Sequence, residues 1–196
     1  MAPVQNDAPH QIHDSRQPVV TIRQFQQEDL KDVVTLFSDG MMYYAQEGHP
    51  QYTVWVDYIK ETLATDLADV EGHYMARDGN FWVATMLPEH GNASDVNSSE
   101  PVTVGILGIN KKPDGVGELR RMSVKLEYRR YGIGKRLIDH VEQWAKAHSY
   151  TMLTLSNGNM MTQAHNFYYK LGYKYTITTV LCPDPFYEVM HFEKYL

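Results

Sequence analysis

The sequence predicts an α/β fold of the α+β kind, a mixed sheet with helices packed on it. Three observations predict it. Short β-branched runs alternate with segments of helical periodicity through the middle of the chain. The chain then closes on two strand-like runs. Its 196 residues, 43% hydrophobic and 21% charged, suffice for one core without disulfide or metal staples. No repeat or linker divides the chain, so residues 19–196 read as one domain behind a flexible tail at 1–18.

Each element has its own signal. Val19 to Phe25 (VVTIRQF) is β-branched and alternating, a strand. Leu30, Val33, Val34 and Phe37 recur at helical spacing, with Gly40 where a helix would stop. Trp55, Ile59, Leu63, Leu67 and Val70 mark a second helix closing near Gly72. FWVATML (81–87) and VTVGILGI (102–109) are strands, and the polar, turn-rich residues 88–101 join them as an exposed loop. ELRRMSV (118–124) is a fourth strand, leading through a glycine-bearing loop into a helix. That helix carries Leu137, Ile138, Val141, Trp144 and Ala145 on one face, a clear amphipathic stripe. TMLTLS (151–156) is a strand, Thr162 to Lys170 a helix ended by Gly172, and YTITTVL with FYEVMHF a terminal hairpin.

Composition excludes several functions. One cysteine, Cys182, rules out an intramolecular disulfide and a thiolate zinc cluster; it reads as a small buried thiol. No histidine pair has ligand spacing, so no metal is expected. Against 18 basic residues stand 24 acidic ones, a balance that argues against nucleic acid as a partner. The most apolar stretch, 81–87, is far below the roughly 20 residues of a membrane span, and no signal-like run precedes it. The expectation is a cytoplasmic protein without a membrane partner.

The loop after the fourth strand is the most informative segment. In Val124-Lys-Leu-Glu-Tyr-Arg-Arg-Tyr-Gly-Ile-Gly-Lys-Arg-Leu137, Gly132 and Gly134 let backbone approach a ligand where a side chain would collide. The helix that follows offers unpaired N–H groups and the positive end of its dipole, and Arg129, Arg130 and Lys135 add charge. Leu137 replaces the third glycine of the dinucleotide fingerprint, and no Walker loop is present. Spacing alone fits either a pyrophosphate cradle or a solvated glycine-rich turn.

Arg129-x-x-Gly132-x-Gly134 resembles the [QR]-x-x-G-x-[GA] signature of the GNAT N-acetyltransferase superfamily. Ala164-x-x-x-Tyr168-x-x-x-Gly172-Tyr173 resembles that family's closing motif. A narrower set resembles the eukaryotic branch of cysteine-S-conjugate and aspartate N-acetyltransferases: Leu36-Phe37-x-x-Gly40-Met41, Thr65-Asp66-Leu-x-Asp69, Phe81-Trp-Val-Ala84 and Glu118-Leu-Arg-Arg-Met-Ser-Val124. Those relatives carry a hydrophobic membrane segment after their Gly-Met, where this chain has the polar residues 42–55.

The resemblance implies a central mixed, largely antiparallel sheet of about seven strands with helices on both faces. It implies acetyl-CoA as cosubstrate, a small-molecule amine as acceptor, direct transfer in a ternary complex, and the possibility of a homodimer. Glu118 would be the base and Tyr168 the acid that protonates the leaving thiolate. Met122 would donate its N–H to the oxyanion, and Val124 would bind the pantetheine amides. Arg129, Arg130, Tyr131, Gly132, Ile133, Gly134 and Lys135 would hold the pyrophosphate. The family's cofactor-binding asparagine is Met161 here, leaving Asn157, Asn159 or Asn166 as substitutes. His165, three residues before Tyr168, reads as solvent-facing or as an auxiliary base. One of Arg120 and Arg121 would face the acceptor, the other solvent. Two rival functions stay open: a protein lysine or N-terminal acetyltransferase, and a non-catalytic acyl-CoA sensor.

Overall fold

Strands form where the β-branched and aromatic runs lie: β1 (Val20–Gln24), β2 (Asn80–Met86), β3 (Val102–Lys111), β4 (Val116–Val124), β5 (Met152–Gly158), β6 (Lys174–Pro183) and β7 (Phe186–Tyr195). The helices are α1 (Leu30–Met42), α2 (Tyr52–Ala64), α3 (Val70–His73), α4 (Ile133–Ala147) and α5 (Thr162–Lys170). This computed structural model describes residues 19–44, 46–87 and 100–196. The expected tail and nearly all of the expected 88–101 loop fall outside the described residues.

Two helices depart from the sequence expectation. α1 runs through Gly40 to Met42, because that glycine is a point of close approach: a Cβ there would lie 2.6 Å from the Ser123 Oγ on β4. The single helix expected to Gly72 breaks after Ala64. Thr65 leaves helical geometry (φ −118°, ψ −102°), and α3 restarts with Asp69 accepting from the Gly72 N–H at 2.8 Å. The break turns Asp66 and Leu67 inward, and both are buried.

The seven strands form one sheet in the order β1-β2-β3-β4-β5-β7-β6. All neighbours are antiparallel except β4 and β5. Helices cover both faces, as expected. On one face α4 and α5 pack Leu137, Ile138, Val141 and Tyr168 against Leu107, Leu119 and Leu155. On the other, α1–α3 pack Phe37, Trp55 and Val70 against Phe81, Val83 and Ile106. The Lys194 Nζ on β7 donates to both carboxylate oxygens of Glu142 on α4, at 2.7 Å each, which ties the far half of the sheet to that helix.

Leu137 is fully buried in the centre of the α4 stripe. Leu137→Ala is expected to cost about 2–5 kcal/mol of unfolding free energy by deleting buried methyl groups and leaving a cavity. Urea denaturation followed by circular dichroism checks this, with the helix content of the folded variant unchanged.

Candidate active site

The parallel pairing of β4 with β5 lasts three residues, Val116–Glu118 against Met152–Thr154. Beyond it the strands part, yet each keeps its outer partner: β4 stays on β3 as far as Val124, and β5 stays on β7 as far as Gly158. The inner backbone edges of Leu119–Val124 and Leu155–Gly158 therefore lack a strand partner from each other, leaving hydrogen-bonding groups available to a ligand. A cleft of about 370 Å³ occupies this opening, walled by α1, β4, the glycine loop, β5 and α5.

A bulge re-aims β4 at the opening. Ile106 pairs with Ser123 and Gly108 with Arg120, so β4 carries one residue more than β3. Arg121 absorbs it at φ +57°, a conformation that costs a non-glycine residue about 1–2 kcal/mol. The strand changes phase there. Leu119 packs on the α4 side, Arg121 lies against Phe37 and Tyr58 on the α1–α2 side, and Met122 returns to the α4 side against Gly134.

The bulge is held by buried charge. The Arg121 Nε and Nη2 donate to the two Asp66 oxygens at 2.8 and 2.6 Å, with the side chains 4% and 3% exposed. The Tyr74 hydroxyl donates to Asp66, Arg121 donates to the Tyr58 hydroxyl, and the guanidinium lies over the Phe37 and Tyr58 rings at 5.3 and 5.2 Å. Burial alone would push the Asp66 carboxyl up. The Arg121 hydrogen bonds and charge, helped by the Tyr74 hydroxyl, hold it below the ordinary range. The same partners raise Arg121 against its own burial.

At the open end, Gly132 adopts φ +73° immediately before α4 and has open space where a Cβ would be. Gly134 packs closely instead; its Cβ would stand 3.2 Å from Met122 Cε and from Phe167 Cζ. Arg129 donates from Nε to the Val124 carbonyl at 3.3 Å and lies over the Tyr43 ring at 4.7 Å. Among the described residues neither Arg129 nor Arg130 pairs with a carboxylate, whereas Lys135 reaches Asp139 at 2.6 Å. The N–H groups and dipole at the start of α4, with two guanidinium groups that have no carboxylate partner among the described residues, suit this end to an anion.

Of the residues singled out in the sequence, Met122, Val124, Arg129, Arg130, Gly132, Ile133, Gly134, Lys135 and Tyr168 line the cleft. Glu118 and Tyr131 do not. Tyr131 is exposed. Glu118 sits at the vertex where the strands part, facing the α1–α3 side. Lys112 Nζ and Arg120 Nη1 lie 2.9 and 3.1 Å from its oxygens. Burial would push its carboxyl up, but the Lys112 hydrogen bond and the two cations hold it below the ordinary range.

Tyr168 is buried, and its hydroxyl has no hydrogen-bond partner among the described residues. Burial and the neighbouring Tyr44 hydroxyl raise it well above the ordinary phenol range, so it stays protonated. Asn157 also lines the cleft, with a buried Oδ1 that has no partner among the described residues. Asn159 is committed to Glu188 at 3.2 Å and Asn166 is exposed, so Asn157 alone of the three asparagines faces the cleft.

Three side-chain expectations are corrected. His165 is buried rather than solvent-facing, with Nε2 3.0 Å from the Gly158 carbonyl. Arg121 points to neither acceptor nor solvent, being consumed by Asp66. Cys182 is only partly buried, at the margin of the core on the α1–α3 side, because it lies on the edge strand β6, whose residues are mostly exposed. Sequence reasoning missed the Asp66–Arg121 pair and Tyr44. Two adjacent arginines inside a strand were the available signal, since strict alternation would bury one charge without a partner.

These features define a class: a protein whose sheet parts between two parallel strands above a helix N-terminus suited to an anion, with a tyrosine lining the cleft alongside. The pattern of the Acetyltransferase (GNAT) family matches residues 42–173. The chain belongs to that family. It is similar to an N-acetylaspartate synthetase of Xenopus tropicalis, 33% identical over 142 residues that cover 71% of this chain and 46% of that protein. It is also similar to an N-acetyltransferase 8 of Rattus norvegicus, 32% identical over 62% of this chain and 52% of that protein. The chain thus spans about half the length of these curated relatives. Among solved structures it resembles an acetyltransferase of the GNAT family from Staphylococcus aureus (TM-score 0.68, 19% identity, 91% of this chain and 99% of that one). It also resembles the PaiA N-acetyltransferase of Thermoplasma acidophilum in complex with coenzyme A (TM-score 0.63, 22% identity, 91% and 99%). At these identities the structures establish the fold. No described helix is long and apolar enough to cross a membrane.

Asp66 and Glu118 both ionise below their ordinary range in the folded state. Their stabilisation is therefore complete above the unfolded-state values and is lost as pH falls through the lowered folded-state values. Asp66→Asn is expected to cost about 3–5 kcal/mol at pH 7. Urea unfolding from pH 7 to 3 should find that cost constant down to about pH 5 and shrinking below it.

Proposed function

We propose that the protein is an acetyl-CoA-dependent N-acetyltransferase that acts on the primary amine of a small molecule, an amino acid, conjugate or similar, by direct attack in a ternary complex. One observation carries this reading. A single cleft joins the N-terminus of α4 to the parting of β4 and β5, and Met122, Val124 and Tyr168 line it. The names of the similar proteins and the coenzyme A bound to the PaiA neighbour support it.

The residues divide the work. The α4 N-terminus, Arg129 and Arg130 hold the pyrophosphate. Val124 backbone and the unpaired Asn157 Oδ1 take the pantetheine amides, an acceptor facing N–H groups. Met122 N–H receives the oxyanion as the amine nitrogen bonds to the thioester carbon. Glu118, already ionised, takes the ammonium proton through water at the vertex. Tyr168 gives its proton to sulfur as the carbon–sulfur bond breaks, so coenzyme A leaves as the thiol. A hydroxyl kept protonated by burial suits that role.

The test is release of free thiol from acetyl-CoA over a panel of amino acids, cysteine conjugates, polyamines and arylalkylamines. A responsive amine is expected. Tyr168→Phe should then lower kcat by about 10²–10⁴, and Asn157→Ala should raise KM for acetyl-CoA about tenfold, the loss of one hydrogen bond. Because Glu118 is held ionised, kcat/KM should rise with pH towards the acceptor's own pKa, about 9–10 for an alkylamine, with no break between pH 5 and 7. Intact acetyl-CoA binding with no thiol release on any amine would overturn the reading.

A further inference from the structure

The Asp66–Arg121 ion pair lies outside the cleft wall, yet every contact it makes bears on one backbone feature of that wall. Arg121 is the bulge residue itself, in the left-handed region at φ +57°. Its guanidinium is bonded at both ends, to Asp66 through two donors and to Tyr58 through a third. Three separate elements supply the grip. Phe37 comes from α1, Tyr58 from α2, and Asp66 from the break between α2 and α3 that displaced the expected continuous helix. The Tyr74 hydroxyl completes Asp66 from the end of α3.

The consequence falls one residue further on. Side chains alternate along a strand, and so do the directions of the backbone N–H groups. Without the extra residue, Met122 would share a face with Arg120. With it, Met122 faces α4 and Gly134, Ser123 faces Gly40 of α1, and both residues line the cleft. From this geometry we infer that Asp66 and Arg121 are positioning residues for acetyl transfer: their buried pair locks the β4 bulge and so aims the Met122 N–H at the thioester oxygen. The inference rests on the acetyl-transfer reading above.

A role in folding alone predicts parallel losses of stability, cofactor binding and turnover. Aiming predicts a selective one, since coenzyme A is held by the α4 end and the Val124 side of the cleft and lacks the acetyl carbonyl that the Met122 N–H meets, a contact that strengthens as the oxyanion forms. The variants are Asp66→Asn, Arg121→Lys, which keeps the charge but loses the planar fork, and Tyr58→Phe, which removes one hydroxyl and is the mildest should the others fail to fold.

Two readouts apply: steady-state kinetics with a responsive amine, and the infrared stretch of acetyl-CoA carrying a ¹³C thioester carbonyl, bound to the protein. In wild type the bound carbonyl band should lie below its position in solution. In each folded variant it should move back towards the solution value. For Asp66→Asn and Arg121→Lys, kcat should fall on the order of 10²-fold, while the Kd of coenzyme A changes by less than about threefold. Folded variants that keep both the wild-type band and kcat overturn the inference, as do variants that lose coenzyme A binding in step with kcat. A wild-type protein with no displaced band and no turnover on any amine would instead overturn the acetyl-transfer reading beneath it.

Discussion

A parallel strand pair that ends after three residues sets the layout of this molecule. Backbone groups in a sheet interior require partners, and separating two strands would ordinarily orphan them. Here the separation is tolerated because β3 and β7 keep the outer edges of β4 and β5 paired along the whole opening. Only the inner edges are left, in a cleft rather than in the core. The helix that begins at the open end, the helix that brings Tyr168 to the wall, and the α1 terminus carrying Tyr44 all pack around that opening.

Charge is distributed to match. The guanidinium groups of Arg129 and Arg130 carry no protein carboxylate among the described residues, so they remain available to an anion. On the opposite face of the sheet, carboxylates and cations are matched at close range: Asp66 with Arg121, and Glu118 with Lys112 and Arg120. Isolated buried charges would be strongly destabilising, whereas these pairs convert the same groups into fixed geometry. The charge without a carboxylate partner lines the cleft, and the paired charge sits where the backbone needs holding.

Much of this was legible in the sequence. Local periodicity marked every strand and most helices, because each buries one face and its apolar residues repeat accordingly. The glycine loop was legible because Gly132 and Gly134 precede a strong amphipathic stripe. Gly40 was misread as a helix stop, since a glycine chosen for close approach to Ser123 looks locally like one chosen to end a helix. The α2–α3 break was hidden because Leu67 and Val70 keep helical spacing across it. The bulge left no local signature either. Arg121 adopts its left-handed conformation for a partner 55 residues away, and only tertiary structure joins Asp66 to it. Asn157 could be counted among three asparagines, but that its oxygen lacks a partner among the described residues shows only in the folded structure.

The most direct test of the account is the backbone amide spectrum of the ¹⁵N-labelled protein titrated with acetyl-CoA. If the parting of β4 and β5 is the thioester slot, the Met122, Val124 and Gly134 amides should shift together and saturate with one binding constant, while amides of the β6–β7 hairpin tip stay in place. Saturable binding that moves the hairpin tip and leaves Met122 and Val124 unchanged would contradict it.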